Sequence, residues 1–170
     1  MKNLKDKLTF LIAAKVDHED RLRNLRTTLS YLRHHFDADI IISEQDTSSK
    51  LRDMCKAFKC RHIFVETDEF FNRQRGVNLA AKAATTPVIA HYDADILLRP
   101  EQIVGATEAI INGQAQLVYP YDGCFYDVPE KFFDTINGTK DLTTVDLNEC
   151  ILFNPYSVGG VVLFDREHYW

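Results

Sequence analysis

The sequence holds no apolar run approaching the roughly 20 residues that cross a bilayer. Its earliest run, Leu8 to Ala14, follows a basic start at Met1 to Lys7 and is too short for a secretory signal, with no small-residue cleavage site behind it. These absences predict a cytoplasmic chain without a transmembrane segment, peripheral contact with a membrane surface being left open. A block of basic charge is missing too. With 25 acidic against 20 basic side chains and a formal net charge of -5, nothing provides the positive stripe that tracks a phosphate backbone, so nucleic acid is excluded as a partner. Cysteine is sparse: Cys55, Cys60, Cys124 and Cys150 form no CxxC pair, and the first two are too loosely spaced for zinc. They read as reduced structural thiols. Asn137-Gly138-Thr139 fits a glycosylation sequon but has no secretion signal to give it use. Internal repeats and low-complexity tracts are also absent. What remains, 45% apolar and 26% charged over 170 residues, is the balance of one globular domain.

Short apolar runs alternate with helical patterns. Leu8–Ala14, Asp39–Ser43, His62–Val65, Val88–Tyr92, Gln116–Tyr119 and Val161–Phe164 read as strands, rich in Ile, Val and Phe as in central strands covered on both faces. Leu22, Leu25, Leu29, Leu32 and Phe36 recur at three and four, one buried helical stripe, with Asp17 or Asp20 as its expected cap. Further helices are predicted from Ser48 towards Phe58, from Phe71 to Ala84, and from Pro100 to Asn112-Gly113, with a short one at Pro129-Glu130. Asn137 to Tyr156 reads as a long loop. This order gives right-handed crossovers and a Rossmann-like α/β sandwich, its mainly parallel sheet flanked by helices. Ligands of such sheets bind beyond the carboxyl ends of the strands.

Those ends carry the chemistry. The strand Val88–Tyr92 runs into Asp93-Ala94-Asp95, and an extended spacing of two would put both carboxylates on one face. Two repelling carboxylates favour a cation, and Mg²⁺ or Mn²⁺ shares its shell with substrate phosphates. The small Ala94 leaves room beside them; the alternative is an acidic turn capping the next helix. Ala13 and Ala14 at the first strand end are small enough for a ribose or base to approach, and Lys15 could neutralise phosphate or stand as a solvated lysine. Glu44 and Asp46 could hydrogen-bond a nucleoside or simply form an acidic turn. Arg73 and Arg75 open a helix, where guanidinium and dipole both favour an anion.

The run Phe71-Asn72-Arg73, with Asn78 five residues after the Arg and Asp93-Ala94-Asp95 beyond a helix, resembles the β-1,4-galactosyltransferase family and family 2 glycosyltransferases of the GT-A fold. Tyr156-Ser157-Val158-Gly159-Gly160-Val161 resembles the same family's Y-F-G-G-V segment, so three motifs match in order. The resemblance implies a UDP-sugar donor, Mn²⁺ (or Mg²⁺) as cofactor, and transfer with inversion to a glycan or polysaccharide acceptor. It assigns Asp95 as direct metal ligand, Asp93 to the donor's ribose or sugar beside the metal, and Arg73 and Asn78 to the donor side. Lys15 takes the place of a basic residue in the family's P-F-R-N-R segment, from which Ala13-Ala14-Lys15-Val16-Asp17 departs. Glu44 and Asp46 fall at the nucleoside end, and Tyr156, Gly159 and Gly160 on the acceptor side.

The family's W-G-x-G-x-E-D segment does not occur before Trp170, so a donor domain lacking its acceptor part is the expectation, inactive or nearly so by itself. Asp141, Asp146 and Glu149 are available carboxylates, and their spacing singles out none as base. Two alternatives remain: a truncated or degenerate domain that binds nucleotide-sugar or a partner, and a sugar nucleotidyltransferase. The latter would carry a Gly-rich phosphate loop after the first strand, and residues 13–17 contain no glycine.

Overall fold

The computed structural model describes residues 1–170. In chain order the principal elements are β1 (Leu8–Ala14), α1 (Glu19–His35), β2 (Asp39–Asp46), α2 (Arg52–Ala57), β3 (Arg61–Glu66), α3 (Arg73–Ala83), β4 (Val88–Tyr92), α4 (Pro100–Ile111), β5 (Leu117–Val118), β6 (Phe125–Asp127), α5 (Phe133–Thr139), β7 (Ile151–Asn154) and β8 (Val161–Asp165). One six-stranded sheet has the order β3-β2-β1-β4-β8-β5. The first four of these strands are mutually parallel, as the alternation of strand and helix predicts.

The sheet sits between two layers. Phe10, Ile12, Ile40, Ile42, Ala90 and Tyr92 point to one face and pack with Leu25, Leu29 and Leu32 of α1 and Ile103, Ala106 and Ile110 of α4. The alternate positions Leu11, Ile41 and Ile89 point to the other, against Val77, Ala80 and Ala81 of α3. A period of two in the strands and of three to four in the helices builds both interfaces. Pro100 opens α4, and Gly113 just beyond it takes φ +70, the left-handed stop that glycine provides.

The sheet is mainly parallel as expected, β8 being its antiparallel member, with Val161 opposite Tyr92 and Asp165 opposite Val88 of β4. Several other expectations are corrected. The strand expected at Gln116–Tyr119 shrinks to Leu117–Val118 at that edge, and β3 at the opposite edge is only half-buried, so neither is doubly covered. α1 is capped by His18, whose Nδ1 accepts from Asp20 N–H at 3.2 Å; Asp17 pairs with Arg21 instead. α2 begins at Arg52 after Leu51, without a side-chain cap. The stretch 137–156 is not one loop: it includes the end of α5, two 3₁₀ turns and β7, which pairs with β6 as a hairpin.

Candidate functional site

α3 is held at the sheet by an interaction absent from the sequence reading. Asn72 caps the helix through Oδ1, which accepts from Arg75 N–H at 2.9 Å. The buried Gln45 side chain grips the same residue twice, donating to Asn72 C=O at 2.8 Å and accepting from its N–H at 3.2 Å. An Asn ahead of a helical run is a cap signal; the long-range partner has none. Arg73 then reaches Asp93, Nη2 to Oδ1 at 2.5 Å. Burial raises the Asp93 carboxyl above its ordinary value, the Arg73 guanidinium opposes that, and Asp95 adds to it.

Strand β4 ends at Tyr92, and Ala94-Asp95 forms a turn. The extended same-face geometry therefore does not hold: Asp93 is tied to α3, whereas exposed Asp95 lines a cavity of about 1390 Å³. The turn is fixed on three sides. Asp93 N–H donates to Gly160 C=O at 2.8 Å, Tyr31 of α1 donates to Leu98 C=O at 2.9 Å, and Ala94 and Ile96 pack on the main core. Gly160 has φ +88, a backbone region that side chains rarely tolerate. Gly159 and Gly160 both line the cavity, Tyr121 donates to Gly159 C=O, and Tyr156 lies outside, 85% exposed.

The remaining sequence-selected residues have other neighbours. Ala13 is not an open floor: a Cβ built on Gly76 of α3 would fall 2.8 Å from the Ala13 methyl, so its smallness lets helix and strand meet. Glu44 is 0% exposed and accepts from Ser49 Oγ, Lys50 N, Leu51 N and His62 Nε2, which commits its oxygens to the turn before α2 rather than to a nucleoside. Asp46 accepts from Lys50 Nζ and Thr47 N–H, both at 2.8 Å, and its carboxyl is lowered chiefly by the Lys50 bond. Lys15 is half-buried at the end of β1, and its charge also acts on Asp46. Asn78 is tied to the Tyr169 hydroxyl at 2.7 Å and to Gln74 at 2.8 Å. Tyr169 also lies 2.9 Å from Nε2 of the buried His91, whose pKa burial lowers to about 4. The structure thus brings together Arg73, Asp93, Asp95 and Gly160, and sends Glu44 and Asn78 to structural bonds.

No group of three or more His, Cys, Asp or Glu side chains comes together as an all-protein metal cage. The donor set at the β4 end is two carboxylates, which fits a hard cation of the Mg²⁺ or Mn²⁺ kind that completes its shell with phosphate and water.

No family model matches the chain, and no curated protein does. Solved structures do. A mannosyltransferase of Pyrobaculum calidifontis in complex with GDP-Man and Mn²⁺ superposes with a TM-score of 0.54 at 13% identity, over 96% of this chain and 45% of its own. Glucosyl-3-phosphoglycerate synthase of Mycobacterium tuberculosis, in complex with Mn²⁺, UDP and glucosyl-3-phosphoglycerate, gives 0.58 at 9% identity, over 95% and 57%. S. aureus TarS 1-349 gives 0.56 at 10% identity, over 94% and 47%. The fold is that of GT-A glycosyltransferases, and the chain spans about half the length of these structures.

Proposed function

We propose that the chain is the donor-binding domain of a metal-dependent glycosyltransferase that moves a hexose or N-acetylhexosamine from a UDP-sugar to a glycan acceptor with inversion. The observation that carries this reading is the turn after β4: it holds Asp93 against Arg73 and presents Asp95 at the edge of a large cavity. The same fold in proteins solved with GDP-Man or UDP and with Mn²⁺ supports it.

In the transfer, the bond from the anomeric carbon to UDP breaks while the acceptor hydroxyl oxygen bonds to that carbon, and the hydroxyl proton passes to a carboxylate base. Asp93 and Asp95 would hold the divalent ion, which would supply charge neutralisation for the departing diphosphate. Burial raises the Asp93 carboxyl, and the Arg73 guanidinium opposes that rise by favouring the ionised form. Lys15, near Asp46, adds positive charge where the nucleotide enters. Gly160 fixes the turn by accepting the Asp93 N–H. Gly159 and Gly160, which line the cavity, stand on the acceptor side, whereas Tyr156 lies outside that lining; no base is assigned.

Calorimetry tests the reading. UDP is expected to bind in the presence of Mn²⁺, with at least about tenfold weaker binding after chelation or in Asp95→Ala; no binding under any condition sinks it. A second reading is favoured by the ion pair itself, since Arg73 already neutralises one carboxylate: a domain that binds nucleotide-sugar without metal or catalysis. Equal UDP affinity with and without Mn²⁺ would select that alternative.

A further inference from the structure

The cavity beside Asp95 has a predominantly acidic wall. Asp95, Glu101, Asp122, Asp127 and Asp146 line it, and Arg99 is the one cation among its lining residues. Lys15, Lys50 and Arg73 all lie outside that lining. Outside it Arg73 is paired with Asp93 and Lys50 with Asp46, so the excess of carboxylate over cation lies in the cavity wall.

The lining also carries hydroxyl and amide groups, Thr27, Thr28, Gln102 and Asn148 among them, which can donate as well as accept. Ionised carboxylates only accept, and Oδ1 of Asn24, another lining residue, is buried without a hydrogen-bond partner. An occupant that satisfies the carboxylates and Asn24 Oδ1 must bring donors. Hydroxyl groups do so, whereas a phosphate or carboxylate brings further acceptors and like charge. Tyr121, Phe125, Tyr126 and Phe133 line the same wall, so aromatic and polar groups meet there, a mixture that can orient a small-molecule ligand. At about 1390 Å³ the space exceeds that of a single drug-sized ligand.

We propose that this cavity takes an uncharged, polyhydroxyl acceptor, a neutral saccharide, and rejects acceptors that carry phosphate or carboxylate. The proposal rests on the donor reading above and adds the acceptor's chemical class. It separates this chain from the M. tuberculosis synthase, which has been solved with phosphoglyceric acid.

The test uses the full chain and saturation-transfer NMR at low ionic strength, where surface charge is least screened. The probes are methyl glycosides of neutral disaccharides, the same disaccharides phosphorylated at the terminal 6-hydroxyl, and their uronic acid counterparts. Neutral probes are expected to bind, and the anionic ones to bind about tenfold more weakly or worse, since like charges in contact oppose association. The exposed pair Asp122→Asn and Asp127→Asn, made together, should narrow that gap by raising affinity for the anionic probes. Anionic probes binding as tightly as neutral ones, or UDP binding with no neutral saccharide bound, overturns the proposal. UDP and Mn²⁺ binding is measured in parallel by calorimetry. Loss of UDP binding with the neutral preference intact removes the donor reading and retains the cavity's ligand class.

Discussion

Asp46 shows how a carboxylate at a strand end is used in this protein. Its side chain is almost fully buried, yet Lys50 Nζ and the Thr47 N–H both donate to it, and these donors favour the ionised form. Because the folded carboxyl is lowered from 3.8, the pair contributes stability that is fully present above that value. The contribution is lost as pH falls through the lowered one. Lys50 is itself 43% exposed, so the charge-assisted bond is discounted for solvent to about 1 kcal/mol. Urea unfolding of the protein and of Asp46→Asn should differ by about that amount at pH 6 and converge below pH 3.8. A constant difference across that range would show that the Lys50 bond is not its source. Lys50 also donates to Val16 C=O at 2.8 Å, so the same ammonium closes the turn after β1 onto the turn after β2, beside Lys15.

At the scale of elements, the contact of α3 with β1 and β2 decides where Arg73 stands. Gly76 is the point of closest approach: an added Cβ would sit 2.7 Å from Gln45 Nε2 and 2.8 Å from the Ala13 methyl. Neither neighbour can yield, since Gln45 is held by two bonds to Asn72 and a methyl cannot rotate away. Gly76→Ala gains about 1 kcal/mol of helix propensity, while overpacking costs about 1–3 kcal/mol, so a net loss of about 1 kcal/mol is expected in chemical denaturation, with UDP affinity falling as Arg73 is displaced. A stabilised variant would refute the close packing. This contact also marks the limit of what the sequence discloses. The stripe Leu25, Leu29 and Leu32, the strand Val88–Tyr92 and the Pro100 start were legible because each is a local pattern. Asp93 and Arg73 were legible singly. Their ion pair, the grip of Gln45 on Asn72 and the commitment of Glu44 to the α2 turn were not, because each joins residues far apart along the chain or buries a group that the spacing leaves free. The direction of β8 was not legible either, since a short apolar strand carries no mark of it.

Over the whole molecule, the candidate site is an assembly of distant chain segments: Arg73 from α3, Asp93 and Asp95 after β4, Gly160 before β8, and the cavity wall from α1, α4 and the stretch 121–148. A ligand bound there can only stabilise the folded chain, because unfolding separates these groups. For a ligand at 100 times its dissociation constant the gain is about 2.7 kcal/mol. In a domain of this length each kcal/mol shifts the melting midpoint by about 2–4 °C. UDP with Mn²⁺ at that excess should therefore raise the Tm by about 5–10 °C, and chelation of the ion should return it. Asp95→Ala, an exposed position in a turn, should leave the unliganded Tm within about 2 °C, the small effect usual for surface substitutions, and abolish most of the shift. A full shift in that variant would place the nucleotide elsewhere on the molecule. An unliganded midpoint lowered by many degrees would instead show that Asp95 maintains the β4 turn and that its carboxylate is structural.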